Sequence, residues 1–517
     1  MVKYALTNPL SVLLNKPKED FTREDLLKVI EQKQIETIRF HYTALDGKLK
    51  ELRIPLPDRK NAEIVLAEGE RVDGSSLFKG LVDTGLSDLY VVPVYKSAFI
   101  NPFNPTSLDL VCRYLTGDGE LAPFTPDNIL HKAAQLFKKS TGIELHALGE
   151  LEFYMLFNPE SNMYFPPKQQ GYHASGPYLK SGKILSDMLK SITQIAGAVK
   201  YAHSEVGFIE KLVSANPEID GKMGEQLEIE FLSTPIEEAA DNIVIAKWLI
   251  RNIAYNNGIL ATFAPKLEEG YAGSGLHLHL KLLKDGKNVM VDEKGDLTID
   301  SKKLIGGLLE FADSLTAFGN TVPSSYLRLV PNMEAPTQFF WSDSNRKAMV
   351  RVPLGWSKTS NLADLVNPGK KSEPMKIDSM QTIELRVPDG SANVHQLIAG
   401  VAMAAEYGFS KSDDALKLTD KLYFRGKTIE ENKDIEFPSL PATCADSADI
   451  LEKKRSLYER ENIFPASIVD FVLKQLRAEN DRDMHKSLSE MYGKGKVVEK
   501  RRIMHKDIHK HQLTISN

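Results

Sequence analysis

The stretch Gly149-Glu150-Leu151-Glu152-Phe153 alternates carboxylates with apolar residues. On a β-strand, side chains two residues apart point to the same face, so the two glutamates share one face and Leu151 and Phe153 the other. The same alternation recurs in three later segments: Gln226-Leu227-Glu228-Ile229-Glu230-Phe231, Gly275-Leu276-His277-Leu278-His279-Leu280 and Ile383-Glu384-Leu385-Arg386-Val387. We therefore predict a sheet with one apolar face packed against helices and one polar face of Glu, His and Arg.

This polar face has two interpretations. Each segment alone is compatible with the solvated face of an amphipathic antiparallel sheet, which is common. The four together favour a metal site, because Glu and His are metal ligands and clustered carboxylates repel one another unless cations offset the charge. Oxygen-rich ligation with an imidazole suits Mg²⁺ or Mn²⁺ better than structural zinc, which would recruit cysteine.

Three arginines, Arg328, Arg346 and Arg351, lie close together in mixed apolar sequence. The guanidinium fork suits carboxylate or phosphate, although ordinary salt bridges are the alternative for each arginine alone. Beside a metal site, phosphoryl transfer is favoured, because metals and arginines together neutralise a transferring phosphate. The sequence contains neither GxxxxGK[ST] nor GxGxxG after a strand, so a nucleotide would have to be held in another way.

The pattern of elements indicates two domains. A helix capped by Thr22 is predicted at 21–33, and Asp46-Gly47 predicts the turn of a hairpin. Strands are further predicted at 35–42, 48–54, 91–98 and 143–157, and helices at 129–140, 184–197, 236–257, 303–318, 392–407, 446–460 and 466–490. We expect a small mixed domain over residues 1–115 and a larger domain over residues 116–517.

Composition narrows the class of protein. The chain of 517 residues is 42% hydrophobic and 26% charged, as in ordinary globular proteins. Its net charge of −5 gives no reason to expect a nucleic-acid partner. Two cysteines, Cys112 and Cys444, fit a reducing cytoplasm, and we find neither a secretory signal nor an apolar run of the ~18 residues that a membrane helix needs.

The segment from Gly493 onward is rich in lysine and arginine. A basic terminus of this kind is typical of a solvated, mobile end, and this is the expectation here. A contact with an acidic subunit surface is the alternative.

Eight motifs, taken in order, resemble those of the glutamine synthetase family, and the resemblance covers about residues 20–490. They are Asp73-Gly74-Ser75-Ser76, Gly149-Glu150-Leu151-Glu152-Phe153, His203-Ser204-Glu205-Val206, Gln226-Leu227-Glu228, Gly273-Ser274-Gly275-Leu276-His277-Leu278-His279, the Arg328–Glu334 segment, Asn345-Arg346 with Arg351, and Glu384-Leu385-Arg386-Val387-Pro388-Asp389. Taken alone, the first of these motifs is an ordinary polar turn.

The resemblance implies an α+β fold, with a small N-terminal β-grasp domain and a large catalytic domain whose antiparallel sheet is flanked by helices. It implies two or three Mg²⁺ or Mn²⁺ ions per site, ATP as a substrate, and a homo-oligomer of hexameric rings, one or two per particle, with each active site between adjacent subunits. The implied ligands are Glu152, Glu205 and Glu228 for one ion, and Glu150, His277 and Glu384 for a second ion that bridges nucleotide phosphates.

The activity implied by the resemblance is ATP-dependent joining of ammonia to the side-chain carboxylate of L-glutamate through γ-glutamyl phosphate. The implied substrate contacts are Arg328 for the α-carboxylate, Gly273 near the amine, and Asp73 of a neighbouring subunit, with Tyr172, for the ammonium. Ser76 is a further implied substrate-binding residue. The implied catalytic and nucleotide residues are Arg346, Arg351 and Arg386 for the phosphoryl group, Glu334 for closing the site and deprotonating ammonium, and His279 near the nucleotide.

Several positions depart from the family pattern. Ala272 stands where Asn is usual, Lys281 where Ser is usual, and Ser379 and Thr382 where a basic pair is usual. Lysines of an insertion at about 356–380 are expected to replace the lost charges; they are Lys358, Lys370, Lys371 and Lys376. A second insertion, Gly207–Lys222, is expected to reshape the amine entrance.

Two further functions are compatible with these motifs. One is a γ-glutamyl ligase for an organic amine such as a polyamine, methylamine or ethanolamine, and the other is a non-catalytic structural or regulatory role. Retention of Asp73 and Glu334 favours ammonia, because a larger amine needs room and less anionic charge at that position. Retention of all six implied metal ligands argues against a non-catalytic protein.

Overall fold

The computed structural model describes residues 4–81, 87–160, 164, 167–330, 335–343, 345–355, 362–369, 373, 379–426 and 436–509. Its N-terminal part contains the helices α1 (Pro9–Leu14), α2 (Arg23–Lys33), α3 (Arg59–Glu68) and α4 (Gly74–Leu77) and the strands β1 (Thr37–Thr43), β2 (Leu49–Pro55), β3 (Glu70–Asp73), β4 (Asp88–Pro93), β5 (Phe99–Ile100) and β6 (Ser107–Thr116).

The N-terminal sheet is mixed, with the strand order β2-β1-β6-β4-β3 and β5 added beside β6. Strand β6 is central: its first half pairs in parallel with β1, and its second half pairs antiparallel with β4. The β1–β2 hairpin turns at Asp46-Gly47, as predicted, and Gly47 has φ +75°, a conformation that suits glycine. The predicted capping of α2 is also confirmed: Thr22 accepts from the Asp25 backbone, and Asp25 accepts from the Thr22 backbone.

The larger part of the chain contains the remaining elements. Its strands are β7 (Glu144–Phe157), β8 (Val199–Ile209), β9 (Met223–Phe231), β10 (Thr234–Pro235), β11 (Leu260–Thr262), β12 (Leu276–Lys284), β13 (Lys287–Asn288), β14 (Trp341–Asp343), β15 (Val350–Val352) and β16 (Ile383–Leu385). Its helices are α5 (Pro126–Thr141), α6 (Gly182–Ala196), α7 (Ile236–Asn256), α8 (Ile299–Gly319), α9 (Pro323–Arg328), α10 (Ala363–Val366), α11 (Val394–Ser410), α12 (Ser412–Lys421), α13 (Cys444–Glu459), α14 (Ala466–Ala478), α15 (Met484–Glu490) and α16 (Gly493–Lys506).

The second sheet follows the order β14-β15-β16-β12-β7-β9-β8 and is antiparallel except for the β14–β15 pair. Its two faces differ as the alternating sequence predicts. Leu151 lies opposite Ile229 on one side and Leu276 on the other, and all three are fully buried. Helix α7 packs against β7, helices α5 and α11 pack beside α7, and α8 packs against α11. The apolar face of the sheet and these helices together form the main core.

Most predicted elements differ from the structure by a few residues at their ends, and two differ in a way that has a local cause. The strand predicted at 91–98 begins and ends earlier, as β4, because a 3₁₀ turn occupies Tyr95–Ser97. The helix predicted at 466–490 is divided into α14 and α15. Asn480 takes a left-handed conformation (φ +53°) between them, and the Asp481 carboxylate accepts hydrogen bonds from the first backbone amides of α13.

The basic C-terminal segment is not a mobile end over residues 493–509, so that expectation is wrong. It forms α16, in which Met504 and His505 are buried, and its charges meet acidic residues of the same chain. Arg501 Nε donates to Glu268 Oε2 (2.8 Å), and Lys500 pairs with Glu269. The basic residues therefore make contacts within the chain. Arg501 and Glu268, for example, are 233 residues apart in the sequence.

The C-terminal segment also shares a small apolar cluster with the insertion 207–222 and the segment 264–267. We call it the tail cluster, and its members are Tyr154, Leu156, Ile209, Leu212, Ile219, Ala264, Leu267 and Ile508. Polar contacts reinforce it, since His505 Nδ1 lies 2.9 Å from Ser214 Oγ and His505 Nε2 2.9 Å from the Leu267 carbonyl. Burial lowers the pKa of His505, which keeps this ring neutral at pH 7.

Within the described residues, none of the helices combines the length and apolar character that crossing a membrane requires.

Replacing Met504, which is 2% exposed, by alanine tests the docking of α16. Loss of a buried methionine side chain costs about 2–5 kcal/mol, and at a chain terminus we expect this cost to appear as local opening. Hydrogen exchange, measured by mass spectrometry, is then expected to be at least about 30-fold faster in residues 493–509, with a smaller increase in 264–273.

The matched control for this experiment is Val498→Ala on the same helix, because Val498 is 65% exposed. Its exchange is expected to equal that of the wild type. Equal exchange in M504A and in the wild type would contradict the docked helix.

Candidate active site

The register of the second sheet gathers its ionisable side chains on one face. Glu150 of β7 lies opposite His277 of β12 and opposite Glu230 of β9. The next pairs along the same face are Glu152 with Glu228, Glu228 with His203, and His279 with Glu384. Directly opposed residues share a face in an antiparallel sheet, so the polar face is continuous across five strands.

On one side of this cluster, histidines and arginines compensate the negative charge of the carboxylates. Glu150 contacts His277 Nδ1 and His279 Nε2, each at 2.9 Å. Glu384 accepts hydrogen bonds from Arg351 Nη1 (2.8 Å) and Arg386 Nη1 (2.6 Å). Although burial opposes it, the nearby positive charges, those of His279 foremost, hold the pKa values of Glu150 and Glu384 below the usual range.

The other side of the cluster is made mostly of carboxylates. His203 Nε2 lies 3.3 Å from Glu228 Oε1 and His203 Nδ1 3.9 Å from Glu205 Oε1. Burial, together with the negative charge of Glu152 and Glu228, raises the pKa of Glu205 to about 8. Burial and neighbouring carboxylates likewise raise the pKa of Glu228 well above its usual value. Both shifts mean that negative charge on this side lacks enough compensating positive charge.

Divalent cations fit this donor set. Three groups place one potential ligand atom per residue within 4.8 Å of one another: Glu150 with His279 and Glu384, His203 with Glu205 and Glu228, and Glu150 with Glu228 and Glu230. In addition, Glu230 Oε2 is buried without a hydrogen-bond partner among the residues that the structure describes. Carboxylate oxygens with few imidazoles match the preference of Mg²⁺ and Mn²⁺.

The six ligands expected from the sequence all lie in this cluster, but the tightest groups have a different membership. They contain His279 where His277 was expected, and they add His203 and Glu230. Glu152 is turned toward the protein: its Oε2 accepts hydrogen bonds from the Gly275 amide (2.7 Å) and from Gln226 Nε2 (3.2 Å).

A cavity of about 320 Å³ opens beside the carboxylates. Its lining includes Glu152, Glu205, His277, Gly273, Arg328 and Arg386, together with Gln169 and Gln226. Arg328 is 4% exposed and donates to the carbonyls of Val387 (2.9 Å) and Arg386 (3.3 Å). Over the described part of the chain it has no carboxylate within ion-pairing distance, and burial lowers its pKa.

Two glycines let the backbone approach these groups. A Cβ atom on Gly273 would lie 2.4 Å from the Pro265 carbonyl and 2.9 Å from Arg328 Cγ. A Cβ atom on Gly275 would lie 2.7 Å from His277 Nε2 and 2.8 Å from Arg328 Nη2. Glycine is therefore required at position 273, where the nearest atom belongs to the backbone, and at position 275 it leaves room for the ends of the His277 and Arg328 side chains.

The other predicted site residues lie at varying distances from this cavity. Arg346 is exposed and lies near Tyr172, whose ring is 5.3 Å from that of His203. His279 is buried between Glu150 and Thr382. Glu334 and the four insertion lysines lie outside the described residues.

Asp73 and Ser76 do not line the cavity of their own chain. Asp73 ends β3, the edge strand of the N-terminal sheet, and it is exposed. It accepts hydrogen bonds from the hydroxyls of Ser75 (2.7 Å) and Ser76 (2.6 Å), which lower its pKa to about 2. Asp73 is therefore a fixed anion on the surface.

Sequence reasoning gave no role to Gln226, His203 and Glu230. Gln226 Nε2 contacts both Glu152 and the Gly273 carbonyl (3.0 Å), so it holds the cavity loop to β7. The available signal was the alternation itself, because Gln226 and Glu230 lie two residues on either side of Glu228. His203 has the same two-residue relation to Glu205.

Ala272, one of the positions that depart from the family pattern, makes a backbone hydrogen bond in the structure. Its carbonyl accepts a hydrogen bond from the Tyr154 hydroxyl (2.9 Å), which ties the cavity loop to β7 and to the tail cluster.

Comparison with known proteins identifies the family of this chain. A family model described as the glutamine synthetase β-grasp domain matches residues 34–117, and one described as the glutamine synthetase catalytic domain matches residues 124–491. The glutamine synthetase of Thermus thermophilus is 28% identical over 444 residues, which is 84% of this chain and 90% of that protein.

Solved structures share the fold. A cryo-EM structure of Plasmodium falciparum glutamine synthetase superimposes with a TM-score of 0.69 at 20% identity, covering 91% of this chain and 99% of that one. A structure of GmaS in complex with ADP superimposes with a TM-score of 0.68 at 20% identity, covering 90% of this chain and 97% of that one. The predicted α+β class, with an N-terminal β-grasp domain, is confirmed, and the chain belongs to the glutamine synthetase family of ligases.

Proposed function

We propose that the protein joins ammonia to the side-chain carboxylate of L-glutamate, with ATP converting that carboxylate to γ-glutamyl phosphate, and releases L-glutamine, ADP and phosphate. We assign the β-grasp domain to residues 1–115 and the catalytic domain to residues 116–517. A cytoplasmic location and hexameric rings, with sites between adjacent subunits, are part of the same proposal.

The observation that carries this proposal is Arg328 beside the carboxylate cluster. A buried guanidinium is costly unless an anion balances it, and within the described chain no carboxylate lies within ion-pairing distance of Arg328. Asp389 and Glu152 act on it only from farther away, and burial still lowers its pKa. Its Nη2 lies only 3.5 Å from His277 Nε2, so a carboxylate bound there would be held next to the metal-ligand face. This arrangement suits a substrate that carries one carboxylate for binding and a second for reaction.

The cluster supplies the setting for phosphoryl transfer. In the proposal, Glu152, Glu205 and Glu228, with His203, hold one divalent cation, and Glu150, His277 and Glu384, with His279 and Glu230 nearby, hold the other. Bound cations would neutralise charge on the nucleotide phosphates and on the carboxylate being activated. Arg386 and Arg351, fixed by Glu384, and Arg346 at the rim contribute positive charge toward the same group.

Ammonium requires anions that can bind it and remove a proton. Asp73 meets the first need, because its serine hydrogen bonds keep it ionised and it projects from an exposed edge that an adjacent subunit can reach. Tyr172 and Ser76 are assigned to the same subsite, and Glu334 to closure and proton removal.

The reaction itself is tested by ATP-dependent phosphate release with glutamate and Mg²⁺. We expect turnover with ammonium and markedly less with methylamine, putrescine or ethanolamine, because the proposed anionic subsite favours a small cation. Turnover with an amine but not with ammonium would instead support the organic-amine ligase. Absence of turnover with every amine, in protein that binds Mn²⁺, would support a non-catalytic role.

Replacing Arg328 by glutamine tests the substrate subsite. Loss of hydrogen bonds to a charged group costs about 1.5–3 kcal/mol, so we expect KM for glutamate to rise about 10- to 100-fold while KM for ATP changes little. Arg53→Gln, at an exposed arginine of β2, is the matched control and should leave both values unchanged. An unchanged KM for glutamate in R328Q would refute the assignment.

Metal binding is expected to release protons, because Glu205 in the metal-free protein has a pKa of about 8 and must ionise to bind a cation. Calorimetric titration with Mn²⁺ at pH 7, in buffers of different ionisation enthalpy, should show this release, about one proton per site. The variant Glu205→Gln should release fewer protons, and equal release would contradict the assignment.

The same pKa fixes the pH dependence of stability in metal-free protein. A folded-state pKa near 8 exceeds the usual 4.5, so this group favours the folded state below pH 4.5, and its contribution is lost as pH rises toward 8. We therefore expect Tm to fall between pH 6 and 8.5 with EDTA and to recover when Mn²⁺ is added. An equally steep fall in Tm for Glu205→Gln with EDTA would count against Glu205 as the source.

A further inference from the structure

A second and larger cavity, of about 540 Å³, lies between the N-terminal part and the catalytic part of the chain. It shares no lining residue with the candidate active site. Its walls come from the β1–β2 turn, helix α7 and strand β11, with Glu218 of the 207–222 insertion and His509 of the C-terminal segment at its edge. The volume is in the range of small-molecule sites.

Cations dominate the polar lining of this cavity. Arg251 and Lys247, one turn apart on α7, both lie against the ring of Phe263, with Arg251 Cζ 4.8 Å and Lys247 Nζ 5.1 Å from its centre. Lys48 reaches the cavity from the β1–β2 turn. The one acidic residue of the lining, Glu218, is paired with His509 and is half exposed.

Arg251 is the residue that needs explaining. Across the part of the chain that the structure describes, it makes no hydrogen bond or ion pair, and its Nε is buried without an acceptor. Burial lowers its pKa to about 10, so the group stays charged at neutral pH. A buried, charged donor without a partner costs free energy, which an anion in the adjacent cavity would recover.

The neighbouring lysines strengthen this argument. Lys247 donates to the Gly390 carbonyl (2.7 Å), which satisfies one of its protons but not its charge. Burial, and then the nearby Arg251, lowers the pKa of Lys247 to about 7. For Lys48, burial lowers the pKa against the opposing effect of Asp46, and Arg251 lowers it further. Both shifts come first from burial, Arg251 adds repulsion to each, and the shift of Lys48 persists although its Nζ lies 3.6 Å from Asp46 Oδ2.

The rest of the lining is apolar and aromatic. It includes Val244, Trp248, Leu260 and Ala261. A hydrated inorganic anion would leave this surface uncovered, whereas an organic anion can place its charged group on the guanidinium and its apolar body against these side chains.

We propose that this cavity binds a small organic anion, whose carboxylate or phosphate group is held by Arg251 and Lys48 and whose apolar body lies against Trp248 and Val244. The bound anion would link the β1–β2 turn to α7. Lys247, which also lines the cavity, donates to the Gly390 carbonyl, and Gly390 belongs to the chain segment that carries Arg386 of the candidate active site. The bound anion would therefore be linked indirectly to that segment. The inference rests on this cavity alone and does not depend on the proposed ligase reaction.

The test is calorimetric titration of the full-length protein with benzoate, with phenyl phosphate, and with benzyl alcohol as the neutral analogue of benzoate. We expect one of the two anions, or both, to bind saturably in the millimolar range or tighter, and benzyl alcohol not to bind. Arg251→Gln should weaken anion binding at least about tenfold, and Lys48→Gln several-fold. Arg328→Gln should leave it unchanged, which separates this site from the candidate active site.

The stability of the variant separates a ligand site from a structural role for Arg251. Without an anion, R251Q is expected to keep or raise the wild-type Tm, because it removes an unbalanced buried charge. With whichever of the two anions binds, Tm should rise for the wild type and R328Q but not for R251Q. No binding of either anion, equal binding by R251Q, equal binding of benzyl alcohol, or a lower Tm for anion-free R251Q would each overturn the proposal.

Discussion

Mutual repulsion among carboxylates on one buried sheet face constrains the catalytic half of this fold. The negative charge of this face is compensated unevenly. Glu150 and Glu384 have histidines and arginines around them, whereas Glu205 and Glu228 face mainly other carboxylates. The first side is therefore ionised by the protein's own charges. On the second side the raised pKa values favour the protonated carboxyls, so a cation that bound there would displace protons.

The sequence alone predicted those structural features that depend only on residues close together in the chain. Alternation at two-residue spacing places Glu150 and Glu152 on one face whatever the partner strands are, and a capping box at Thr22 begins a helix whatever packs on it. Register is not local. Glu228 meets His203 because β8 and β9 pair with shifts in register, and no single strand contains that information. For the same reason the sequence predicted which side chains share the polar face but not how they group with His279, His203 and Glu230, and their role as metal ligands stays a prediction.

The C-terminal segment shows a second limit of sequence patterns. Its lysines and arginines have the composition of a solvated end, yet Arg501 and Lys500 meet Glu268 and Glu269, and Ile508 joins the tail cluster. Composition reports how much charge a segment carries, not where the opposite charge lies in space. The insertion at 207–222 and the C-terminal segment are difficult to interpret separately, because each buries its apolar residues against the other and against 264–267.

Arg328 and Arg251 show how the same physical rule distinguishes two cavities. Arg328 donates to carbonyl acceptors of the segment 386–387, and no carboxylate of the described chain lies within ion-pairing distance of it. In the proposed reaction, a substrate carboxylate would supply negative charge there, beside the carboxylate cluster. Arg251 lacks both acceptor and counter-charge within the described chain, and it lies beside apolar walls and far fewer carboxylates. Its ligand must therefore supply hydrogen-bond acceptors, charge and apolar surface together, a stricter requirement that points to an organic anion rather than to a metal-bound substrate.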